Sequence, residues 1–185
     1  MIRPLAIFAS CLLAIPAAAE IVVLDYEDAD AADFSTGTYS EDGIDTVVES
    51  GHYEILADGS PVVGDDRAFN VDEQQLGLTQ VRLSSAEGRL FDVLSLYVVN
   101  PASSPGEYSI SAIGGGGGSI PAPTIAGPLA LGPGFQDVSA LVITQHAPGA
   151  FAMDDVTLNM PEPTGASSWI APALAVFALA RRRSG

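Results

Sequence analysis

The chain has no lysine, one cysteine, one tryptophan and two histidines among its 185 residues. Each scarcity removes a class of chemistry. Cys11 alone forms no intramolecular disulfide, so stability must come from packing or from a bound metal. Seven arginines against 23 acidic residues give a formal net charge of −16, which opposes nucleic acid and anionic membrane surfaces as partners. His52 and His146 are far apart, no serine sits in a G-x-S-x-G elbow, and no GKS or GKT follows the glycine run at residues 114–118. Neither a nucleophile–base pair nor a phosphate cradle is indicated, and the chain reads as non-enzymatic. Paired carboxylates can hydrolyse glycosides at separations of about 5–10 Å, but with so many acids such a pair arises by chance.

What is present is unevenly distributed. The first 19 residues place Arg3 before an apolar run at residues 5–15, then Pro16 and the small residues Ala17, Ala18 and Ala19. That order predicts a secretory signal peptide cut after Ala19, recognised through Ala17 and Ala19 by signal peptidase. Phe8-Ala9-Ser10-Cys11 offers an alternative lipid-attachment site, with a shorter apolar core behind it. At the other end, Pro161-Glu162-Pro163 precedes 17 mostly apolar or small residues, 164–180, and then Arg181, Arg182 and Arg183. As a helix that stretch reaches about 26 Å, short of a hydrocarbon core of about 30 Å. Pro172 weakens it further, so a removable membrane handle fits better than a resident single-span anchor, with the arginines held on the cytoplasmic side. The segment PEPTGASSWIAPALAVFALARRRSG resembles the PEP-CTERM sorting signal of exported bacterial proteins. The resemblance implies recognition and cutting by exosortase, the membrane sorting protease of that family, after transient anchoring in the inner membrane.

Residues 20–160 remain as one domain between a signal peptide at 1–19 and a sorting signal at 161–185. All 23 acids and only Arg67, Arg82 and Arg89 lie in the segment 20–163, a formal charge of −20. Its apolar runs are short and separated by Gly, Pro, Asp and Ser, which predicts strands at 21–26, 44–48, 52–56, 67–71, 80–84, 91–99, 108–113, 138–144 and 151–159. The second and third form an expected hairpin across Glu49, Ser50 and Gly51. FDVLSLYVV carries apolar residues on both faces, as a strand between two layers would, which puts Tyr97 in the core. Residues 101–134 hold six prolines and nine glycines, so they read as connections and a flexible hairpin tip rather than helix. About nine strands in one unit predict an all-β sandwich.

TYSEDGI, FDVLSLY and FAMDDVTL resemble recurring segments of PEP-CTERM proteins with jelly-roll, carbohydrate-binding-like ectodomains. Such modules begin with a strand carrying a glutamate and end with one carrying paired aspartates. The counterparts are Asp25 and Glu27 in VLDYEDAD, and Asp154 and Asp155. First and last strands commonly adjoin in a sandwich. Two carboxylates at 4 Å repel by about 4 kcal/mol at an effective dielectric constant of about 20, so such a cluster calls for a proton or a cation, structural calcium being the expected one. Solvated strand ends are the competing reading. Asp28, Asp30 and Asp33 do not complete an EF-hand loop, because Tyr39 stands where the bidentate acid belongs.

These features lead to one expectation and two alternatives. The chain reads as an exported, non-catalytic protein of the cell surface or biofilm matrix, associated with envelope or extracellular polysaccharide. A calcium-stabilised carbohydrate-binding module is second, with Tyr26, Tyr39, Tyr53, Tyr97 and Tyr108 as candidate sugar contacts, Tyr97 being the one its central strand assigns rather to the core. A small secreted hydrolase is third.

Overall fold

The computed structural model describes residues 19–27, 32–34, 37–56, 68–72 and 78–161. All of them belong to one of the chain's two compact units, Ala19–Pro163; the other, Met1–Ala18 with Thr164–Gly185, lies outside them. The expectations for Ala17, Glu162, Pro163, Arg181, Arg182, Arg183 and both apolar terminal segments therefore concern residues outside the description.

Thirteen strands run through the described residues, with one 3₁₀ turn at Pro133–Phe135. They are β1 (Glu20–Leu24), β2 (Ala32–Phe34), β3 (Thr38–Glu41), β4 (Ile44–Ser50), β5 (Tyr53–Leu56), β6 (Ala68–Asp72) and β7 (Gln80–Ser85). β8 (Asp92–Asn100), β9 (Tyr108–Gly114), β10 (Ser119–Pro121), β11 (Gly127–Ala130), β12 (Val138–Gln145) and β13 (Ala150–Met160) follow. All nine expected strands are present. The four additional ones, β2, β3, β10 and β11, are three or four residues long.

The strands build two antiparallel sheets. One has the order β11-β8-β13-β6-β5-β2, with β1 also paired to β13; the other is β10-β9-β12-β7-β4-β3. Alternation gives each sheet an inner face. In β7, Val81, Leu83 and Ser85 are buried while Gln80, Arg82 and Ser84 are partly exposed. Leu24, Phe69, Leu96 and Phe151 of the first sheet join Ile44, Leu83, Ile110 and Leu141 of the second in a single hydrophobic cluster. The architecture is a β-sandwich.

A polar link crosses that core. Tyr108 on β9 is fully buried, and its hydroxyl lies 3.2 Å from the Val71 carbonyl oxygen on β6. Gln145 donates to that hydroxyl at 2.9 Å and accepts from the Thr79 amide at 3.0 Å. A buried tyrosine satisfied in this way ties the sheets together and presents no face to a sugar.

Two local expectations are corrected. β4 and β5 are not a hairpin, because β4 pairs with β3 and β7 in the second sheet while β5 pairs with β2 and β6 in the first. The chain crosses between layers at Gly51, whose φ of +69° suits glycine and whose Cβ would collide with Thr79. β8 is not covered on both faces, since Leu94 and Tyr97 remain 39% and 44% exposed. The glycine run is a hairpin tip as expected, joining β9 to β10, and it is tethered. Gly118 donates its N–H to the Gly134 carbonyl at 2.8 Å, and a Cβ at Gly115 would meet the Gln136 carbonyl oxygen at 2.0 Å. Glycine is required there because two backbones touch.

Candidate functional site

The expected neighbours meet: β1 pairs with β13 from Glu20 opposite Met160 to Leu24 opposite Val156. β6 takes the same edge of β13 farther back, from Ala150 to Met153. Asp154 and Asp155 fall in the interval between these two partners. On the other edge, Asp154 pairs with Tyr97 and Thr157 with Ser95, so two β13 residues oppose one on β8. This bulge turns Asp155 to a φ of +48°. Its amide donates to Asp154 Oδ1 at 2.8 Å, and the two carboxyl groups part: Asp154 is buried, Asp155 exposed.

The turn after β1 is also irregular. Tyr26 adopts a φ of +58°, and Asp25 Oδ1 accepts the Glu27 amide at 3.1 Å. This carries Tyr26 into the core, fully buried and 6.0 Å from both the Tyr39 and Phe69 rings. Its hydroxyl has no hydrogen-bond partner among the described residues. Burial first, then the charges of Glu41 and Asp154, raises its pKa well above the ordinary value. Tyr53, 4.8 Å from Phe69, donates to the Thr46 carbonyl at 3.3 Å.

Glu41 is the residue that sequence reading missed. It ends β3 just before the two-residue Asp42-Gly43 turn, whose positive φ angles at both positions join β3 to β4. There its carboxyl hydrogen-bonds to Asp25, and Tyr39 donates to its Oε2 at 3.3 Å. Burial first, then the Asp25 hydrogen bond and charge, pushes the Glu41 carboxyl up to about 7. Glu41 therefore keeps its proton to higher pH than an ordinary carboxyl and can donate it in that hydrogen bond. The Glu-Asp-Gly pattern announces the turn, but nothing in it announces Asp25 as partner.

Of the four acids expected to gather, Asp25 thus engages Glu41, Asp154 is buried with its charge felt at Tyr26, and Glu27 and Asp155 are exposed. Among the described residues, no three His, Cys, Asp or Glu side chains converge in a way that could hold a metal ion.

The two histidines stay apart. His52 is buried, with Nδ1 lacking a hydrogen-bond partner among the described residues, and its amide donates to Thr79 Oγ1 at 3.1 Å. His146 is exposed, and its Nε2 lies 2.8 Å from Ser109 Oγ. Sequence spacing gave no hint of that Ser–His contact, which arises because β9 and β12 are neighbours. Among the described residues no carboxylate orients the other ring nitrogen, the element that would make the pair resemble an activated nucleophile.

No known family model matches this chain, and no curated protein matches it.

Proposed function

We propose that the protein is an exported, non-catalytic component of the bacterial cell surface or extracellular matrix, associated with envelope or exopolysaccharide. In this reading signal peptidase cuts after Ala19, and an exosortase-type protease acts at Pro161-Glu162-Pro163. The body between is a jelly-roll-like sandwich, a reading supported by the chain's repeated passage between the two sheets.

The observation that carries the proposal is where the folded strands stop. β1 opens at Glu20, directly after the expected signal cut, and β13 closes at Met160, directly before the proline-glutamate-proline motif. These two residues are partners in the ladder. Arg89 holds the exit by donating to the Pro161 carbonyl oxygen at 3.2 Å. Both cuts would thus fall just outside the sheet and leave every strand intact.

Intact-mass measurement of the protein recovered from its exporting host tests this. The expected product lacks residues 1–19 and the segment after Pro163. Recovery of the full-length chain from the cytoplasm overturns it.

A further inference from the structure

The outer face of the first sheet carries an open groove of about 360 Å³ lined by Val23, Ser95, Tyr97, Pro128, Asp155 and Thr157. Its volume lies within the range of about 300–1,000 Å³ common to small-molecule sites. Four neighbouring strands, β1, β13, β8 and β11, supply the lining.

Two side chains give the groove its character. Tyr97 is 44% exposed and presents an aromatic ring on a sheet surface. Asp155 is placed by the β13 bulge at a φ of +48°, a conformation that costs a residue other than glycine and persists where surroundings enforce it. Its amide is held by Asp154 and its carbonyl oxygen accepts from Thr157 Oγ1 at 3.3 Å, while its carboxylate has no hydrogen bond among the described residues. The bulge therefore fixes the backbone and leaves the carboxylate open.

This lining selects its ligand by chemistry. One aromatic face suits the C–H face of a sugar ring, the Asp155 carboxylate accepts from ring hydroxyls, and Ser95 and Thr157 can both donate and accept. No arginine lines the groove, and the acids of the body repel anions. β8 and β13, which carry Tyr97 and Asp155, are paired on both sides, so an added peptide strand would have to join at the outer edge of β11 or β1, away from these two side chains.

We infer that this groove binds a neutral polysaccharide, with Tyr97 as the stacking platform and Asp155 as the hydroxyl acceptor. The binding chemistry stands on these residues; its connection to an extracellular matrix rests on the proposed function.

Native affinity electrophoresis of the full chain in mild detergent, through gels containing mannan, dextran or mixed-linkage β-glucan, tests the site. Polygalacturonate serves as the anionic comparison. The expected result is retardation in at least one neutral gel and none in polygalacturonate. Tyr97→Ala weakens it about tenfold, Tyr97→Phe retains it, and Asp155→Asn weakens it without unfolding, since Asn tolerates positive φ. If Tyr97→Ala melts far below the parent, Asp155→Asn decides. The inference is overturned by absence of retardation in every neutral gel, by preference for polygalacturonate, or by retardation that the deciding variant leaves unchanged. Cytoplasmic full-length protein that still binds glucan through Tyr97 overturns the export reading alone.

Discussion

The glycine run at residues 114–118 and the bulge at Asp154–Asp155 are both irregular backbone, yet they are built from opposite residue types. At Gly115, Gly116 and Gly118 of the run, side chains are absent because residues 133–137 approach within contact distance. At the bulge nothing is omitted: Asp155 keeps a side chain at positive φ, and Tyr26 does the same in the adjoining turn. The first irregularity serves packing. The second has a conformational cost that glycine would avoid, so its residues are retained for what their side chains do: one exposed carboxylate at a groove, one tyrosine driven into the core.

That contrast can be broken at several points. The largest effect is expected at Gly115, where alanine combines a φ of +49° with a Cβ 2.0 Å from the Gln136 carbonyl oxygen. Gly115→Ala should lower stability by about 3 kcal/mol in urea melts. Gly117→Ala, at a φ of +59° with nothing within 4 Å, should cost about 1 kcal/mol. Equal losses would show that close approach is not what demands glycine.

The Asp25–Glu41 pair gives a pH-dependent effect. Folding raises the Glu41 carboxyl from an ordinary 4.5 to about 7, so the folded state favours its protonated form. The resulting penalty is absent below about pH 4.5, grows as pH rises toward 7 and then levels off. Glu41→Gln removes it. Because Glu41 is only partly buried, solvent screening reduces the gain to about 1 kcal/mol at pH 8, fading toward pH 4.5. Thermal melts of parent and variant across that range check the sign; a constant difference would refute the linkage.

The smallest effect has the opposite sign from the glycine substitutions. Asp155→Gly relieves positive-φ strain and should stabilise the fold by about 0.5 kcal/mol in the same urea melts. A clear loss of stability would mean that the Asp155 side chain supports the sheet.

Sequence made the strands readable wherever a buried face enforced alternation. β7 and β9 are legible in Val81, Leu83, Tyr108 and Ile110. The four missed strands lie at sheet edges, where Pro121, Gly127 and Pro128 sit in segments with little apolar patterning. Sheet membership was less readable than strand position. β4 and β5 look like hairpin partners until Gly51 carries the chain across the core, a choice made by Thr79 from far along the sequence. At the candidate site, adjacency of the first and last strands was legible, but the Asp25–Glu41 contact depends on how β3 packs in the other sheet. Tyr97 was misplaced for a similar reason: an apolar stretch does not reveal which of its two faces meets solvent.

The ladder between Glu20 and Met160 also bears on mechanics. Because the first and last strands run antiparallel and their outer ends coincide, tension applied between the two ends of the body would load a single rung and open the seam sequentially, like a zipper. A load entering through the sheet's outer surface, with only the β13 end tethered, would bypass that seam and be shared among the rungs that join β13 to β8 and β6.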